Sequence, residues 1–555
     1  MTTLSASPVR PQQLGRALSL DDAKVILASC AGTVCEWYDF FLYGAMATLI
    51  GAKFFGQFDE TTRNIFALLT FALGFLVRPI GGLILGRFGD LLGRKNIFLI
   101  TVIGMGLTTF AVGLLPTSAQ VGIAAPIALV TLRVLQGLAI SGEFGGAVIY
   151  VAEHAPRSRR GFYTGCIPAC IGLSLLLAIV VVLVTQSAMS AAAFDAWGWR
   201  LPFLGSAILL AVSIAVRVRL QESPAFLKIK AERRQSRAPI SEAFGKWSNA
   251  RLAVIALFGM TAAVAATGYA GTFYVLVFMT SALKLDSFTA NLLYAVAMVF
   301  GAASCVFFGW LSDKVGRKPI ILAGCLLATV GYSPVFHGLT AVANPTLLRA
   351  QQTISVTIKA DPATCSLLFN PAGVAKYTSV CDLAKSTLSR NSVAYRNESS
   401  LSGAPTLVEI NQKVVPLGDD VVKSLGQAIV AAGYPQVGNP ETLKIAEISE
   451  LFAPRPLTMI GLLLFLVMCA QMAQGPAAAA LVEMFPARIR YTSMSLPYQI
   501  GTGWIGGLLP TTMFAMNAIA GDMFFGLWYP VTITAVTFLI GLLFLPETRN
   551  VDIAA

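Results

Sequence analysis

Charged residues and histidine are scarce in this chain of 555 residues. Only 12% of the residues are charged and 56% are hydrophobic, whereas an average soluble domain carries about a quarter charged residues. That shortage excludes an ordinary soluble enzyme, a disordered chain and a fibrous protein. The two histidines, His154 and His337, are too few for a histidine-built metal centre, and the nine cysteines follow no zinc or redox spacing. We therefore expect no catalytic residues, no metal and no cofactor, and hence no enzyme.

Long apolar runs are what the sequence has instead. A bilayer crossing needs roughly 20 apolar residues, and the first run follows a polar stretch of about 23 residues and is too long for a signal peptide. The pattern predicts an all-α membrane protein with twelve transmembrane helices, near 24–50, 62–85, 96–115, 121–152, 162–188, 200–217, 252–281, 288–311, 319–341, 457–482, 492–519 and 524–545.

The distribution of positive charge predicts the orientation. Lys and Arg concentrate in alternate connections, at 87–95, 157–160, 217–251 and 314–318. The opposite short loops hold only Lys53, Arg63, Arg200 and Lys284. Because cytoplasmic loops are enriched in Lys and Arg, both termini are predicted to be cytoplasmic. The net charge of +12 is then a topology signal, and we expect membrane lipid rather than nucleic acid as a partner.

The chain repeats itself. Residues 86–96 (GRFGDLLGRKN) and 309–319 (GWLSDKVGRKP) share the pattern G-x-x-x-D-x-x-G-R-K. A second pair of motifs, E-x-x-P-x-x-x-R, starts at Glu153 and at Glu483. The two pairs have different offsets, which locates an insertion in the second half.

The repeat and the apolar runs together predict two six-helix halves with a small soluble insertion on the outer face. Alternation over 354–359 and 406–410 favours strands in the insertion, and 419–433 favours a helix. The expected parts are a cytoplasmic N-terminus (1–23), an N-terminal six-helix bundle (24–219), a basic cytoplasmic linker (220–250), a C-terminal six-helix bundle (251–341 and 456–546), a periplasmic insertion (342–455) and a cytoplasmic tail (547–555).

The repeated loops are candidate gates. Their glycines let helix ends approach closely, and their aspartates can cap a helix or pair with arginine. The Arg-Lys pairs are expected to anchor the loops at the lipid surface. The alternative is a basic turn with no further role. The candidate gating residues are Gly86, Asp90, Gly93, Arg94, Lys95, Gly309, Asp313, Gly316, Arg317 and Lys318.

These loops resemble the signature of the major facilitator superfamily, in which the loop latches the two halves. Further segments resemble its metabolite:H⁺ symporter branch, whose members include permeases for proline and betaine, α-ketoglutarate, shikimate and citrate. They are GTVCEWYDFFLYG at 32–44, FLVRPIGGLILGRFGD at 75–90, RVLQGLAISGEFGG within 133–165, LQESPAF at 220–226 and EMFPARIRYTSMSLPYQIG at 483–501. The resemblance implies the major facilitator fold; it does not extend to the insertion.

Charges inside the bilayer are costly and usually functional. All of those inside the predicted helices fall in the first half: Glu36, Asp39, Arg78, Arg133 and Glu143. We expect Asp39, Glu36, Arg133 and Glu143 to couple the proton, since a carboxylate facing an arginine changes its proton affinity when either moves. A static ion pair that fixes helix packing is the alternative. Arg133-x-x-Gln136-Gly137 also resembles a superfamily motif tied to proton coupling.

The predicted substrate contacts come from both halves. The first half offers charge and the second offers amide and aromatic groups at mid-helix, although membrane-interface anchoring explains many such aromatic residues equally well. The candidate substrate-binding residues are Arg78, Arg133, Gln136, Tyr43, Gln471, Gln474 and Tyr498.

Cys365 and Cys381 are the only cysteines outside the predicted helices. Because the insertion is expected to face an oxidising compartment, these two thiols are predicted to form a disulfide. Two free thiols in a loosely folded domain are the alternative.

Together these features predict a monomeric symporter in the bacterial inner membrane that imports a small carboxylate-bearing metabolite with protons. A proline or betaine importer is the main alternative. A sensor with a transporter-like fold is a further one, but it would be expected to lose the intramembrane charges. A membrane enzyme would need a nucleophile–base or metal cluster, which the sequence lacks.

Overall fold

The computed structural model describes residues 20–57, 66, 69–70, 72–218, 222–365, 379–418, 420–436 and 438–553. The predicted N-terminal tail lies almost wholly outside these residues, as do parts of the second predicted apolar run and of the linker. In the first helix the backbone of Glu36 is described, but its side chain is not.

The N-terminal half of the chain is helical. Its long helices are α1 (Leu20–Ala45), α2 (Arg78–Leu92), α3 (Arg94–Leu114), α4 (Ala124–His154), α5 (Arg160–Ser187) and α6 (Leu201–Val218). Shorter helices cover Ala47–Phe54, Ser118–Val121 and Ala191–Ala196. Two linker helices, Pro224–Ala231 and Pro239–Phe244, lead to the C-terminal half.

The C-terminal half begins with α7, which runs over Trp247–Ala282 and contains π-helical turns at Leu257–Thr261, Ala270–Tyr274 and Phe278–Ala282. Helices α8 (Ser287–Val315) and α9 (Arg317–Ala343) lead to the insertion. After it come α13 (Pro454–Met484), α14 (Arg490–Gln499, extended by a π-helical Ile500–Gly506), α15 (Leu509–Ala520) and α16 (Trp528–Phe544).

Among the described residues, nine helices are long and apolar enough to cross a membrane. They do not include α1, or the predicted run 492–519, which a π-helical turn divides between α14 and α15. The predicted run 62–85 is described only in part, and Val77 forms a turn immediately before α2 begins. The count of twelve therefore stays a prediction.

The insertion is a small α/β unit. Helix α10 (Pro345–Thr353) precedes a four-stranded sheet, and α11 (Val380–Arg390) and α12 (Val421–Ala431) complete it. The strands are β1 (Val356–Ala360), β2 (Arg396–Ser399), β3 (Leu407–Ile410) and β4 (Lys413–Val414), in the order β2-β1-β3-β4. Strand β1 pairs parallel to β2 and antiparallel to β3. The alternation in the sequence indicates β1 and β3, because every second side chain faces the insertion's core.

The insertion packs on one end of the C-terminal helices. The backbone N–H of Tyr395 donates to the Gly521 carbonyl after α15 (2.8 Å), and the Leu443 N–H donates to Ala343 at the end of α9 (2.7 Å). The Ile445 N–H donates to the Thr289 hydroxyl at the start of α8 (2.9 Å). Among the described residues, every hydrogen bond between the insertion and the long helices goes to the C-terminal half of the chain. We call this end of the molecule the insertion face.

The opposite end of α8 and α9 carries the repeated loops, and we call it the basic face. Here helices of the two halves approach closely at glycines. A Cβ at Gly86 in α2 would lie 2.9 Å from the Cα of Thr492 in α14, and a Cβ at Gly165 in α5 would lie 3.3 Å from the carbonyl of Cys305 in α8. Small residues at such crossings let backbones pack directly in a membrane.

Candidate functional site

The first repeated loop joins α2 to the C-terminal half. Asp90 is buried, and its carboxylate accepts hydrogen bonds from the backbone N–H groups of Tyr491 (3.2 Å) and Thr492 (2.9 Å) and from the Thr492 hydroxyl (2.8 Å). These N–H groups belong to the first turn of α14, where they have no partner within the helix and where a negative charge is stabilised. Arg94 lies 3.3 Å from Asp90 and balances its charge.

The second repeated loop makes the same contact in the opposite direction. Asp313 of α8 accepts from the backbone N–H groups of Gly161 and Phe162, both at 2.8 Å, in the first turn of α5. Arg317 pairs with Asp313 at 2.7 Å. Each aspartate therefore caps a helix of the other half, and together they join the two halves at the basic face.

The second repeated motif pairs across the two halves as well. Glu153 accepts from Arg490 (2.6 Å), while Glu483 accepts from Arg160 (2.8 Å). Glu483 also pairs with Arg317 (3.2 Å) and accepts from the Thr548 hydroxyl (2.7 Å). Each glutamate thus binds the arginine of the other copy of its motif. We call the two capping aspartates and these glutamate–arginine pairs the latch.

Two acidic residues beside the latch, Glu222 and Glu547, were not predicted from the sequence as functional residues. Glu222 accepts from the N–H groups of Arg94 (3.2 Å) and Lys95 (3.3 Å), which start α3. Glu547 does the same for Arg317 (3.0 Å) and Lys318 (3.1 Å), which start α9. The available signal was an acid placed shortly after the sixth and the twelfth predicted helix.

The expectation that the Arg-Lys pairs anchor the loops in lipid is wrong for the arginines. Arg94 and Arg317 are both 1% exposed, because each pairs with an aspartate of its own loop. The lysines instead donate to the last turns of neighbouring helices: Lys95 to the Val218 carbonyl and Lys318 to the Leu542 carbonyl, both at 2.9 Å. Lysine at a helix C-terminus satisfies carbonyls that have no partner in the helix.

Gly93 and Gly316 in the loops have φ angles of +108° and +116°, which L side chains rarely adopt. At Gly316 a Cβ would also lie 2.5 Å from the carboxylate of Glu547. A Cβ at Gly93 would likewise overlap the carboxylate of Glu222, so glycine is favoured at both places by conformation and by space.

A cavity of about 100 Å³ lies between the two halves. A single water needs roughly 10–15 Å³ on this measure, so the cavity has room for a small solute. Its N-terminal wall carries Arg78 and Glu143, and its C-terminal wall carries Tyr269, Gln471 and Tyr498. Charge therefore lies on one wall and amide and phenol groups on the other.

Arg78 is the cationic group of this cavity. It is 2% exposed, and its guanidinium lies over the rings of Trp37 (5.6 Å), Phe40 (4.8 Å) and Phe75 (4.4 Å). Its Nε and Nη2 atoms have no hydrogen-bond partner among the described residues. A buried guanidinium with unused donors is costly unless an anion or water satisfies it. Trp37 also lines the cavity, although nothing in the sequence distinguishes it from the other aromatic residues of its helix.

The C-terminal wall contains the amides predicted from the sequence. Gln471 and Gln474 of α13 both line the cavity, and the Gln471 Oε1 has no hydrogen-bond partner in the described part of the chain. Tyr498 also lines it, and its ring stacks on Phe144 of the opposite half with centroids 3.9 Å apart.

A second polar cluster lies apart from the cavity. Arg133 donates to the side-chain Oε1 of Gln136, and the Gln136 side-chain Nε2 donates to the Thr109 hydroxyl at 2.8 Å. Asp39 interacts with Thr109 and with the charge of Arg133, and its Oδ1 has no hydrogen-bond partner among the described residues. The Arg133 guanidinium lies 3.7 Å from the centroid of the Tyr43 ring. We call these five residues the Asp39 cluster.

The structure thus divides the predicted site residues. Arg78, Glu143, Gln471, Gln474 and Tyr498 line the cavity. Among the described residues, the cavity wall does not include Asp39, Arg133, Gln136 or Tyr43. Asp39 and Arg133 are connected through Thr109 and Gln136 and form no ion pair within 4 Å in the described part. Because Thr109 is uncharged, its position between Asp39 and Gln136 could not be predicted from the sequence.

Glu143 has its own partners. Its Oε1 accepts from the Thr33 hydroxyl of α1 at 2.9 Å. Arg217 of α6, counted as a loop charge in the sequence, is 1% exposed and supplies positive charge near Glu143. Its guanidinium occupies the space beside Gly32 and lies 3.6 Å from the Phe98 ring centroid. Glu36 cannot be placed with them, because its side chain lies outside the described residues.

In the insertion, Cys365 and Cys381 are joined in a disulfide with a Cα–Cα distance of 5.4 Å. Among the described residues, no cluster of His, Cys, Asp or Glu could hold a metal ion.

Long apolar helices, a latch between the halves and a cavity between them are the features of a multi-pass membrane protein of the transporter type. A family model described as Major Facilitator Superfamily matches residues 29–356. The chain belongs to the major facilitator superfamily, in its metabolite:H⁺ symporter branch.

Named relatives and a solved structure agree with this assignment. The shikimate transporter of Escherichia coli K12 is 37% identical over 331 residues, which cover 58% of this chain and 74% of that protein. The proline/betaine transporter of the same strain is 32% identical over 345 residues, covering 60% of this chain and 68% of that protein. The proton:xylose symporter XylE, bound to 6-bromo-6-deoxy-D-glucose, has the same fold, with a TM-score of 0.63 at 15% identity over 96% of this chain and 98% of that one.

Proposed function

We propose that this protein is a proton-coupled symporter of the bacterial inner membrane that imports a small organic acid. Arg78 is the observation that carries this proposal. Arg78 lines the cavity between the two halves, and two of its buried guanidinium nitrogens have no hydrogen-bond partner among the described residues. A guanidinium matches a carboxylate through two parallel hydrogen bonds, so a carboxylate-bearing substrate satisfies both the charge and the donors. The shikimate transporter among the relatives supports this substrate class.

The Asp39 cluster is proposed to carry the proton. Asp39 is buried with one carboxylate oxygen unpaired, and Arg133 is linked to it through neutral groups. Movement of Arg133 or of the hydrogen-bonded groups between it and Asp39 changes the electrostatic field at Asp39 and hence its affinity for a proton. Because the cluster is separate from the cavity, substrate and proton would bind at different places. Glu143 lies in the cavity wall and is proposed to respond to both.

Transport is proposed to proceed by alternating access of two six-helix halves, twelve helices in all, with the basic face in the cytoplasm and the insertion in the periplasm. The structure then has its cytoplasmic side closed by the latch. Release of the latch would open the cavity inward. We propose that the protein acts as a monomer.

An osmolyte importer is the second candidate. The rings of Trp37, Phe41, Tyr269 and Tyr498 line the cavity, and aromatic faces attract a quaternary ammonium. Proline/betaine transporters are among the relatives.

Uptake into energised membrane vesicles separates the two candidates. We expect accumulation of at least one labelled compound from a panel of shikimate, keto acids and dicarboxylates, with betaine as a poor competitor. Arg78→Lys keeps the positive charge but loses the paired donors, so it should raise the KM for the acid substantially. Competition by betaine and proline, but by no organic acid, would reject the organic-acid proposal and favour the osmolyte importer.

A further inference from the structure

Tyr491, in the first turn of α14, extends its side chain from the C-terminal half into the N-terminal half. It is fully buried. Its ring occupies the space that a Cβ would need at Gly89 in α2, and its Cε2 and hydroxyl oxygen lie 2.7 Å from the Cβ positions of Gly145 and Gly146 in α4. The hydroxyl donates to the carbonyl of Gly142. We call these four glycines the glycine socket.

The glycine socket depends on the absence of side chains around the ring. A side chain at Gly89, Gly145 or Gly146 would overlap the ring, so the ring fits because these positions lack a Cβ. The backbone N–H of the same tyrosine is bound to Asp90 at 3.2 Å, and its hydroxyl is bound to Gly142. Two directional bonds at opposite ends of one residue, with close packing between them, fix how α14 lies against α2 and α4.

The glycine socket also reaches the cavity. Gly142 is followed directly by Glu143, which lines the cavity and accepts from Thr33. Departure of the tyrosine hydroxyl would leave the Gly142 carbonyl without that partner, one residue from a charged group of the cavity wall. The contact therefore lies between the latch at the basic face and the chemistry of the cavity.

We propose that Tyr491 is a positioning residue for transport: its insertion in the glycine socket holds the two halves together at the basic face, and its withdrawal accompanies opening there. This proposal rests on the alternating access proposed above, but it does not depend on the identity of the substrate. A neutral side chain would then contribute to gating together with the charged loop motifs.

A reporter cysteine on the same helix tests the proposal. Ser495 of α14 is 2% exposed, and its hydroxyl oxygen lies 3.2 Å from the Cβ position of Gly145. In Ser495→Cys, a membrane-impermeant maleimide applied to the basic face of inverted vesicles should react only when the halves separate. The full-length protein without the reporter gives the background of the native cysteines. We expect Tyr491→Ala to raise the reporter's alkylation rate about tenfold or more, and Tyr491→Phe to raise it about threefold.

Three further variants, two that alter the socket and one control, complete the test. Gly146→Ala crowds the tyrosine hydroxyl and should raise alkylation, whereas adding Tyr491→Phe to it removes the crowded atom and should restore part of the closed population. Tyr332→Phe is the matched control, because it removes an equally buried hydroxyl bond, to the Thr267 carbonyl at 3.1 Å, within the C-terminal half. It should leave alkylation unchanged.

Wild-type alkylation rates in both Tyr491→Phe and Gly146→Ala would overturn the proposal, as would an equal increase in Tyr332→Phe. Because alkylation needs no substrate, a failure to transport organic acids would reject the proposed function without changing this result. Tyr491→Phe and Gly146→Ala are conservative enough to decide the matter if Tyr491→Ala does not accumulate in the membrane.

Discussion

Replacing Glu483 by Gln should open the basic face. The Glu483 side chain is fully buried and neutralises two buried guanidinium groups, those of Arg160 at 2.8 Å and Arg317 at 3.2 Å. Removing one partner of a buried ion pair costs about 3–5 kcal/mol, because the other charge stays buried without compensation. Since Gln can still accept a hydrogen bond, we take the lower value. About 3 kcal/mol corresponds to a shift of roughly a hundredfold between closed and open states.

Hydrogen–deuterium exchange of the peptide around 486–495 measures this shift. The N–H groups of Tyr491 and Thr492 are protected by Asp90 only while the latch is closed. Their exchange in Glu483→Gln should therefore be roughly a hundredfold faster than in the wild type, in the regime where exchange follows the opening equilibrium.

Glu242→Gln is the matched control for this experiment. Glu242 pairs with Arg488 at 2.5 Å near the same surface, but the Arg488 side chain is 45% exposed. Such a pair contributes about 0–1 kcal/mol, so exchange should change less than about fivefold. Equal exchange rates in the two variants would refute the reasoning that buried cross-half pairs hold the basic face closed.

Three further predictions concern the proton, the disulfide and the insertion. Asp39→Asn should abolish gradient-driven accumulation while substrate exchange across the membrane remains measurable, because the amide cannot bind and release the coupled proton. Cys365→Ser should destabilise the insertion by about 3 kcal/mol on the chain-entropy estimate for a loop of this length, measured as faster hydrogen exchange in β1, and mass spectrometry of the unreduced wild type should show one crosslink to Cys381. Hydrogen bonds from the backbone N–H groups of Gly403 and Ala363 hold the pKa of Asp361 below its usual value of 3.8. The stability that the Asp361 carboxylate contributes to the insertion should therefore be constant above pH 3.8 and decrease as the pH falls through the lowered pKa. In Asp361→Asn this pH-dependent contribution should be absent.

Each of these has an outcome that would contradict it. Wild-type accumulation in Asp39→Asn would exclude that residue from coupling. Two free thiols in protein from normally oxidising cells would reject the disulfide. The pH dependence of hydrogen exchange in β1 can be compared by pulse labelling in the wild type and Asp361→Asn. The same dependence in both would show that Asp361 does not determine how the insertion's stability varies with pH.

The repeat made the latch residues predictable, but it did not reveal their partners. Equal motifs at Asp90 and Asp313 imply equal roles, so the candidates could be identified from spacing alone. Their partners lie between 151 and 402 residues away, and the pairing is reciprocal across the halves. Local sequence patterns do not indicate which distant residues pair with each other. Arg217 was assigned to a loop because counting Lys and Arg treats every helix end as solvated, whereas the missing side chain at Gly32 gives this arginine room to remain inside.

The cavity wall was only partly predictable for a geometric reason. Arg78 and Arg133 look alike in sequence, each being a lone arginine in an apolar helix. Which of them faces the cavity depends on the rotation of each helix about its axis. In the C-terminal half the π-helical turns of α7 alter the repeat of 3.6 residues, and thereby the face on which residues such as Tyr269 lie. The sequence predicts which half of the chain carries the intramembrane charges. The rotation of each helix about its axis determines which of those charged side chains line the cavity.

The reciprocal pairing of the latch has a consequence for how the protein is made. Glu153 and Arg490 are 337 residues apart, and Arg160 and Glu483 are 323 apart. At a synthesis rate of about 5–20 residues per second, the nascent N-terminal helices wait tens of seconds before their ionic partners leave the ribosome. During that interval Arg160 has to remain hydrated or take another partner, whereas Glu153 can pair with Arg94 of its own half, which lies 3.9 Å away in the folded protein. A chain that stops after the first half would therefore keep Arg160 without its ionic partner at the basic face, a feature by which quality control can recognise it.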